Sequence, residues 1–68
     1  MRNELWTKAA NLRKESAELF CKANWQAGCL AEEGKGSAEI DAAVAAKMAR
    51  ISEIDSEIAT LMAEWAVS

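Results

Sequence analysis

The sequence predicts an all-α fold: an antiparallel, coiled-coil-like two-helix hairpin that dimerises into a four-helix bundle. Its 68 residues include no proline and are rich in alanine, glutamate and lysine, a composition that favours helix throughout. Apolar residues recur at alternating intervals of four and three in both halves of the chain, which is typical of two helices packed lengthwise. A glycine-containing segment separates the halves. We therefore expect a single helical-hairpin domain over residues 1–68.

The first helix is predicted over about residues 3–33. Asn3 is placed to cap its N-terminus, with Glu4 in the first turn, where the helix dipole favours negative charge. The stripe of this helix passes through Leu5, Ala9, Leu12, Ser16, Leu19, Ala23, Gln26 and Leu30. Gly28 costs about 1 kcal/mol relative to alanine inside a helix. Because Leu30 stays in phase with the stripe, we expect the helix to continue past this glycine.

The turn is predicted at residues 34–37, followed by a second helix over about residues 38–66. Either Gly34 or Gly36 can adopt the left-handed conformation that ends a helix. Ser37 can cap the next helix, whose first turn carries the acidic residues that the helix dipole favours. The stripe of this helix passes through Ile40, Val44, Lys47, Ile51, Ile54, Ile58, Leu61 and Trp65.

The two stripes share a register. Folding the chain about Lys35 pairs residues whose numbers sum to 70, and every stripe residue of one helix then meets a stripe residue of the other. Leu19 meets Ile51, for example, and Leu12 meets Ile58. Two helices of about thirty residues, each about 45 Å long, joined by a short turn lie antiparallel. The paired stripes form the predicted seam of the hairpin.

Two polar residues interrupt the seam, Gln26 in the first helix and Lys47 in the second. The register places Lys47 opposite Ala23. A lone polar residue in a seam can fix the register at some cost in stability, or its stem can extend past alanine so that the ammonium group reaches water. Both roles are structural, and the sequence identifies no pocket around a catalytic lysine.

Residues that adjoin the seam on one side form a surface that we call the apolar flank. The first helix contributes Trp6, Arg13, Phe20 and Ala27, and the second contributes Asp41, Met48, Asp55 and Met62, with small residues beside them at Ala10, Ala17, Ala31, Ala38, Ala45, Ser52, Ala59 and Ala66. Across the seam these pair as Trp6 with Met62, Arg13 with Asp55 (an ion pair), Phe20 with Met48 and Ala27 with Asp41. The flank therefore presents large apolar side chains beside residues small enough for another helix to approach.

The apolar flank predicts self-association. A chain of this length buries too little surface to be comfortably stable alone. A hairpin with one apolar side and one charged side is expected to pair through the apolar side, giving a twofold homodimer with four helices. The residues predicted to mediate it are Trp6, Ala10, Ala17, Phe20, Met48, Ala59 and Met62. The alternative is that these residues thicken the core of a monomer.

The opposite side of the hairpin, which we call the charged flank, has Lys8, Glu15 and Lys22 facing Glu64, Glu57 and Arg50, together with Glu18, Glu32 and Glu53. Trp25 projects from this flank. An exposed tryptophan is unusual unless it packs on something or binds something. We predict a contact with another protein that is anchored by Trp25 and rimmed by Lys22 and Glu18. The alternative is a rotated hairpin, or a bend at Gly28, that places Trp25 in the core.

The composition excludes most catalytic and metal chemistry. The chain has no histidine, and Cys21 and Cys29, about 12 Å apart on one helix, make neither a zinc ligand set nor an internal disulfide. No phosphate loop, nucleophile elbow or base and nucleophile pair is present. We therefore predict no enzyme activity, cofactor or metal. With no segment resembling a signal peptide or a membrane span, we expect a cytoplasmic protein with reduced cysteines, a bridge between chains being the alternative.

The predicted function is a non-catalytic protein–protein interaction module: a small adaptor, inhibitor or assembly subunit whose partner the sequence does not identify. The alternative is a regulatory dimer that binds RNA or DNA through basic residues of the first helix, namely Arg2, Lys8, Lys14 and Lys22. The net charge of -3 disfavours nucleic acid and anionic membranes, because phosphate binding depends on concentrated positive charge. In shape and length the predicted architecture resembles the small acidic RNA-binding hairpin dimers of plasmid copy-number control. That resemblance implies binding of paired RNA loops across the first helices.

Overall fold

The computed structural model is a hairpin of two long helices, α1 (Arg2–Glu32) and α2 (Ser37–Val67), that pack against each other. It describes residues 2–67, and of Arg2 the backbone only. The two-helix hairpin predicted from the stripes is confirmed, and each helix end lies within one residue of its predicted position. The molecule measures 51 × 16 × 12 Å. Its radius of gyration of 15.5 Å exceeds the roughly 11 Å of a compact chain of this length, so the hairpin is elongated.

The first helix starts one residue earlier than predicted. Because α1 begins at Arg2, Asn3 lies inside its first turn and does not cap it. The backbone carbonyl of Asn3 instead accepts a hydrogen bond from the Thr7 hydroxyl at 2.9 Å. Met1, which precedes this helix, lies outside the described residues. Further along, α1 continues without interruption through Gly28, as predicted.

The turn ends α1 with a Schellman motif. Gly34 adopts the left-handed conformation, with φ of 84°, so it is the first of the two candidate glycines that fills this role. Its N–H donates to the carbonyl of Ala31 at 3.0 Å, and the N–H of Lys35 donates to the carbonyl of Leu30 at 3.0 Å. These two bonds are the reciprocal pair that defines the motif and satisfies carbonyls at the helix end.

The second helix is capped by Gly36 and not by the predicted Ser37. The carbonyl of Gly36 accepts the hydrogen bond from the Ile40 N–H at 3.1 Å, which makes Gly36 the residue before the first helical position. Ser37 is therefore the first residue of α2. Glycine is accepted at this position nearly as well as serine, so the one-residue shift costs little.

The seam lies where the sequence places it. Its sixteen predicted residues are all buried or half-buried, and Ala9, Ala23 and Ile54 are the residues buried most completely. Side-chain hydrogen bonds cross the seam between Gln26 and Lys47 and between Glu15 and Arg50, pairs whose numbers sum to 73 and 65. These sums bracket the value of 70 expected for a fold about Lys35.

The core of the hairpin is thin. Most seam residues are only half-buried, because each helix is covered by one neighbour and faces solvent elsewhere. The accessible surface is 4866 Å², against about 4,200 Å² for a typical compact protein of 7.4 kDa. The elongated hairpin thus exposes more surface than a compact chain of the same mass.

Candidate interaction surfaces

The two polar seam residues bind each other. Lys47 Nζ donates to Gln26 Oε1 at 2.8 Å in a partly buried hydrogen bond that joins the two helices. The register places Lys47 opposite Ala23, which is buried and leaves room for the lysine stem. The sequence did not predict this partner. The sequence does contain a clue to this bond, however. Gln26 is the next seam residue after Ala23 and lies one turn away, within reach of the lysine side chain.

The charged flank is organised by Arg50. Its guanidinium binds Glu15 of α1 bidentately, with Nε to Oε2 at 2.8 Å and Nη2 to Oε1 at 3.2 Å. Its Nη1 also donates to Glu57 Oε1 at 3.2 Å and to Glu53 Oε2 at 3.3 Å. The sequence placed Lys22 opposite Arg50, and the long guanidinium side chain bonds carboxylates further along the flank. Opposite charges attract where two cations would repel.

These bonds change the acid–base behaviour of the pair. The hydrogen bond from Arg50, aided by its positive charge, lowers the pKa of Glu15 below the ordinary range of a glutamate. The hydrogen bonds from the guanidinium to Glu15, Glu57 and Glu53 raise the pKa of Arg50 further. Both side chains are partly open to solvent. The ion pair between Arg50 and Glu15 therefore links α1 to α2. The carboxylates of Glu53 and Glu57 also accept hydrogen bonds from this arginine.

The apolar flank is exposed. Trp6 is 48% exposed, Phe20 is 51% and Met48 is 42%, whereas Met62 is half-buried. The small residues Ala10, Ala17 and Ala59 are exposed as well. About half of the surface of Trp6, Phe20 and Met48 is thus open to solvent in the single hairpin.

A groove on the apolar flank brings two opposite charges together. It is lined by Arg13, Ser16, Ala17 and Phe20 of α1 and by Asp55 and Ile58 of α2. Arg13 and Asp55 are both exposed, and the ion pair predicted between them does not form within 4.0 Å. The groove therefore has a cation and an anion that do not form an ion pair, beside an exposed aromatic ring.

The open end of the hairpin is closed by two tryptophans. The rings of Trp6 and Trp65 meet edge to face, with centroids 5.8 Å apart and planes at 76°. The sequence paired Trp6 with Met62 across the flank and did not predict this contact. Edge-to-face pairs of this geometry contribute about 0.5–1.5 kcal/mol beyond the area they bury.

Trp25 is exposed on α1. Its exposed fraction is 77%, so the alternative that places it in the core of the hairpin is wrong for this structure. Lys22 and Glu18, its predicted rim, are exposed as well. On the same unbroken helix, the thiols of Cys21 and Cys29 are free, the first exposed and the second half-buried.

Other kinds of site are not found in the described part of the chain. Residues 2–67 contain no cluster of three or more histidine, cysteine, aspartate or glutamate side chains able to hold a metal ion. Neither of the two described helices is long and apolar enough to cross a membrane. No protein-family model, curated protein or solved structure matches the chain at a significant level.

Proposed function

We propose that this chain is a non-catalytic protein-interaction module, a small adaptor, inhibitor or assembly subunit that acts as a self-associating helical hairpin. The observation that carries the proposal is the exposure of Trp6, Phe20 and Met48 on one face of a hairpin whose own core is thin. Large apolar side chains grouped on one surface are typical of protein interfaces. Self-association through the apolar flank would cover them.

Trp25 supports a second contact, with a protein other than this chain. Its side chain is 77% exposed on the charged flank, where self-association through the apolar flank leaves it uncovered. Tryptophan is enriched among the residues that dominate binding energy at interfaces, and a polar rim commonly surrounds such an anchor. Lys22 and Glu18, exposed on the same helix, would form that rim.

The titratable groups favour binding over catalysis. Among the described residues, clear pKa shifts are found at Glu15 and Arg50, which are bonded to each other on an open surface. Catalytic groups are typically perturbed by burial in a cleft, where they are free to act on a substrate. The proposed location is the cytoplasm, where the free thiols of Cys21 and Cys29 would stay reduced.

Nucleic acid is the competing ligand, and two basic side chains of α2 are bonded to residues of the hairpin itself. Arg50 is occupied by three carboxylates, and Lys47 donates into the seam. Lys8, Lys14 and Lys22 are exposed on α1, whereas the side chain of Arg2 lies outside the described part. A gel-shift titration with double-stranded DNA and paired RNA loops in low salt tests this. A shift at micromolar protein that disappears in moderate salt would replace the protein partner with nucleic acid.

Self-association is tested by sedimentation of the wild type and Phe20→Glu. The wild type is expected to sediment as a dimer, and Phe20→Glu as a monomer, because the carboxylate would be buried without a partner. The matched control is Cys21→Glu, one residue along the same helix on an exposed position outside the apolar flank, which should remain dimeric. If the wild type sediments as a folded monomer at tens of micromolar, the proposal of self-association is wrong.

The partner contact is tested separately with Trp25→Ala. This change should leave helicity and sedimentation unchanged, because Trp25 is mostly exposed. It should remove at least one protein from those retained by the immobilised wild type, whereas Lys14→Ala, an exposed position elsewhere on α1, should retain the same set. If Trp25→Ala unfolds the chain or retains every protein that the wild type does, Trp25 does not anchor a partner.

A further inference from the structure

We propose that two copies pair side by side through the apolar flank with their turns at the same end, so that Arg13 of each copy binds Asp55 of the other. This inference rests on the proposed self-association and specifies its geometry. A twofold axis parallel to the helices would place α1 of one copy on α2 of the second copy. The alternative twofold arrangement has the turns at opposite ends.

In the same-end arrangement, each pair of flank residues packs against the same pair in the second copy. We call each such pair, at one height along the hairpin, a level. Across the seam, each level joins one residue of α1 to one of α2. In a same-end dimer, α1 of one copy packs on α2 of the other copy at the same height. The α1 residue of a level therefore contacts the α2 residue of that level in the second copy. Large apolar residues then meet large apolar residues, and Arg13 meets Asp55. Size is therefore matched at the two large apolar pairs and charge at the Arg13–Asp55 pair, whereas Asp41, beside Ala27 near the turn, gains no basic partner.

The opposite-end arrangement lacks this complementarity. There each helix meets its own counterpart about the helix midpoints, residues 17 and 52 of Arg2–Glu32 and Ser37–Val67. Arg13 would then lie opposite residue 21, next to Phe20, and Asp55 opposite residue 49, next to Met48. A carboxylate covered by methionine loses water without gaining a partner, which is costly. The charges on the flank thus select the same-end pair.

The groove on the single hairpin fits this role. Arg13 and Asp55 line it from opposite helices, both exposed and without an ion pair between them. When a second copy is added, two arginines and two aspartates alternate around the four helices, so each charge has neighbours of opposite sign. An ion pair between copies, flanked by Phe20, would be shielded from solvent, and this arrangement favours one register of association.

The face of the hairpin that carries the apolar flank is comparable in size to a dimer interface. The broad face of the hairpin measures 51 by 16 Å, or about 800 Å². Stable protein interfaces bury about 800 Å² on each partner. The exposed small residues on the face, among them Ala17, Ala45 and Ala59, allow helix axes to approach to about 8–10 Å. A second copy of this chain is therefore an occupant of the right length, charge and area.

Two charge-reversal variants test the pairing. Arg13→Asp alone would place four carboxylates at one level, and Asp55→Arg alone would place four guanidinium groups there, so each variant should dimerise at least tenfold more weakly than the wild type. An equimolar mixture should recover the dimer, because Asp at position 13 of one chain meets Arg at position 55 of the other. Sedimentation measures the association, and native mass spectrometry identifies a heterodimer.

The controls reproduce the net charge without touching the apolar flank. Arg13→Asp changes the net charge from -3 to -5, as Lys14→Asp does, and Asp55→Arg changes it to -1, as Glu32→Arg does. Lys14 and Glu32 are exposed positions of α1 outside the apolar flank, so both control variants should remain dimeric. If Arg13→Asp and Asp55→Arg stay dimeric alone, or fail to associate when mixed, the proposed pairing is wrong.

A distance measurement separates the two arrangements directly. Spin labels attached at Lys35→Cys in a Cys21→Ser/Cys29→Ser background mark the turn of each copy. In the same-end pair the labels should lie within about 30 Å, since neighbouring helix axes are about 10 Å apart. A separation near the 51 Å length of the hairpin would overturn the same-end geometry and leave self-association intact. If the labelled chain and the wild type both sediment as monomers, the result would instead contradict the self-association in the proposed function.

Discussion

Lys47 and Gln26 are joined across the hairpin by a hydrogen bond of 2.8 Å between Nζ and Oε1. Each residue takes a position in the seam that an apolar side chain would otherwise fill. Because the bond forms in one alignment of the helices, a shift of either helix by a turn would leave both groups without this partner. We therefore predict that the pair fixes the register of the helices, at a cost in buried apolar area.

Replacing both members tests this role. Gln26→Leu/Lys47→Leu is expected to stabilise the hairpin by about 1–3 kcal/mol, because two half-buried leucines add apolar contact. It should also broaden the distribution of oligomers, since the register is no longer fixed. Thermal unfolding followed by circular dichroism measures the first effect and sedimentation the second. A double variant that is both less stable and uniform in size would show that the polar pair contributes net stability.

The bond between Arg50 and Glu15 makes stability depend on pH. The pKa of Glu15 is lowered in the folded chain, so the folded state binds its proton less readily than the unfolded state. The contribution is therefore complete above the pKa of the unfolded chain and is lost as pH falls through the lower folded value. In urea unfolding, the stability difference between wild type and Glu15→Gln should be present at pH 7 and vanish near pH 2. Added salt should reduce it at pH 7. An equal difference at both pH values would contradict the assignment.

Two glycines should respond in opposite ways to alanine. At Gly28, within α1, a Cβ would meet nothing within 4 Å, so Gly28→Ala should stabilise the helix by about 0.5–1 kcal/mol. At Gly34, where φ is 84°, Gly34→Ala should destabilise the hairpin by about 1–2 kcal/mol. Urea unfolding of the two variants at one protein concentration measures both. Equal effects of the same sign would mean that Gly34 does not hold the left-handed conformation.

The depth of the core can be tested at Ile54, which is completely buried. Ile54→Ala should cost about 2–4 kcal/mol, since it removes three carbon atoms and leaves a cavity. In so thin a core that loss is expected to lower the helical signal at 25 °C. Val67→Ala is the control, because Val67 is 88% exposed at the end of α2, and it should change stability by less than about 0.5 kcal/mol. If both variants lost a similar amount of stability, Ile54 would not be a core residue.

The seam and the turn were predictable because both rest on local or periodic signals. Sixteen residues at alternating intervals of four and three fix one face of each helix, and Gly34 marks the turn that brings the faces together. The helix starts were less certain. A cap is defined by which carbonyl accepts the first helical bond, and Gly36 takes that position although Ser37 has the more familiar capping side chain.

The side-chain contacts were harder to predict, because the register treats residues as points facing each other. Lys47 and Arg50 have long side chains that reach a turn or more along the hairpin, so each binds a residue other than the one opposite. The contact of Trp6 with Trp65 likewise depends on rotamers that a periodic pattern does not contain. The exposure of Trp25, in contrast, follows from its phase on the helix.

The four-residue connection between α1 and α2 also has a kinetic consequence. Contacts next to the turn close the shortest loops, so they form at the smallest entropic cost, and pairing can spread outward from them. Trp6 and Trp65 lie at the far end and are separated by nearly the whole chain. The two indoles should therefore be the last large side chains to meet. The near-ultraviolet circular dichroism of the tryptophan pair would then report when the two helices have paired along their whole length.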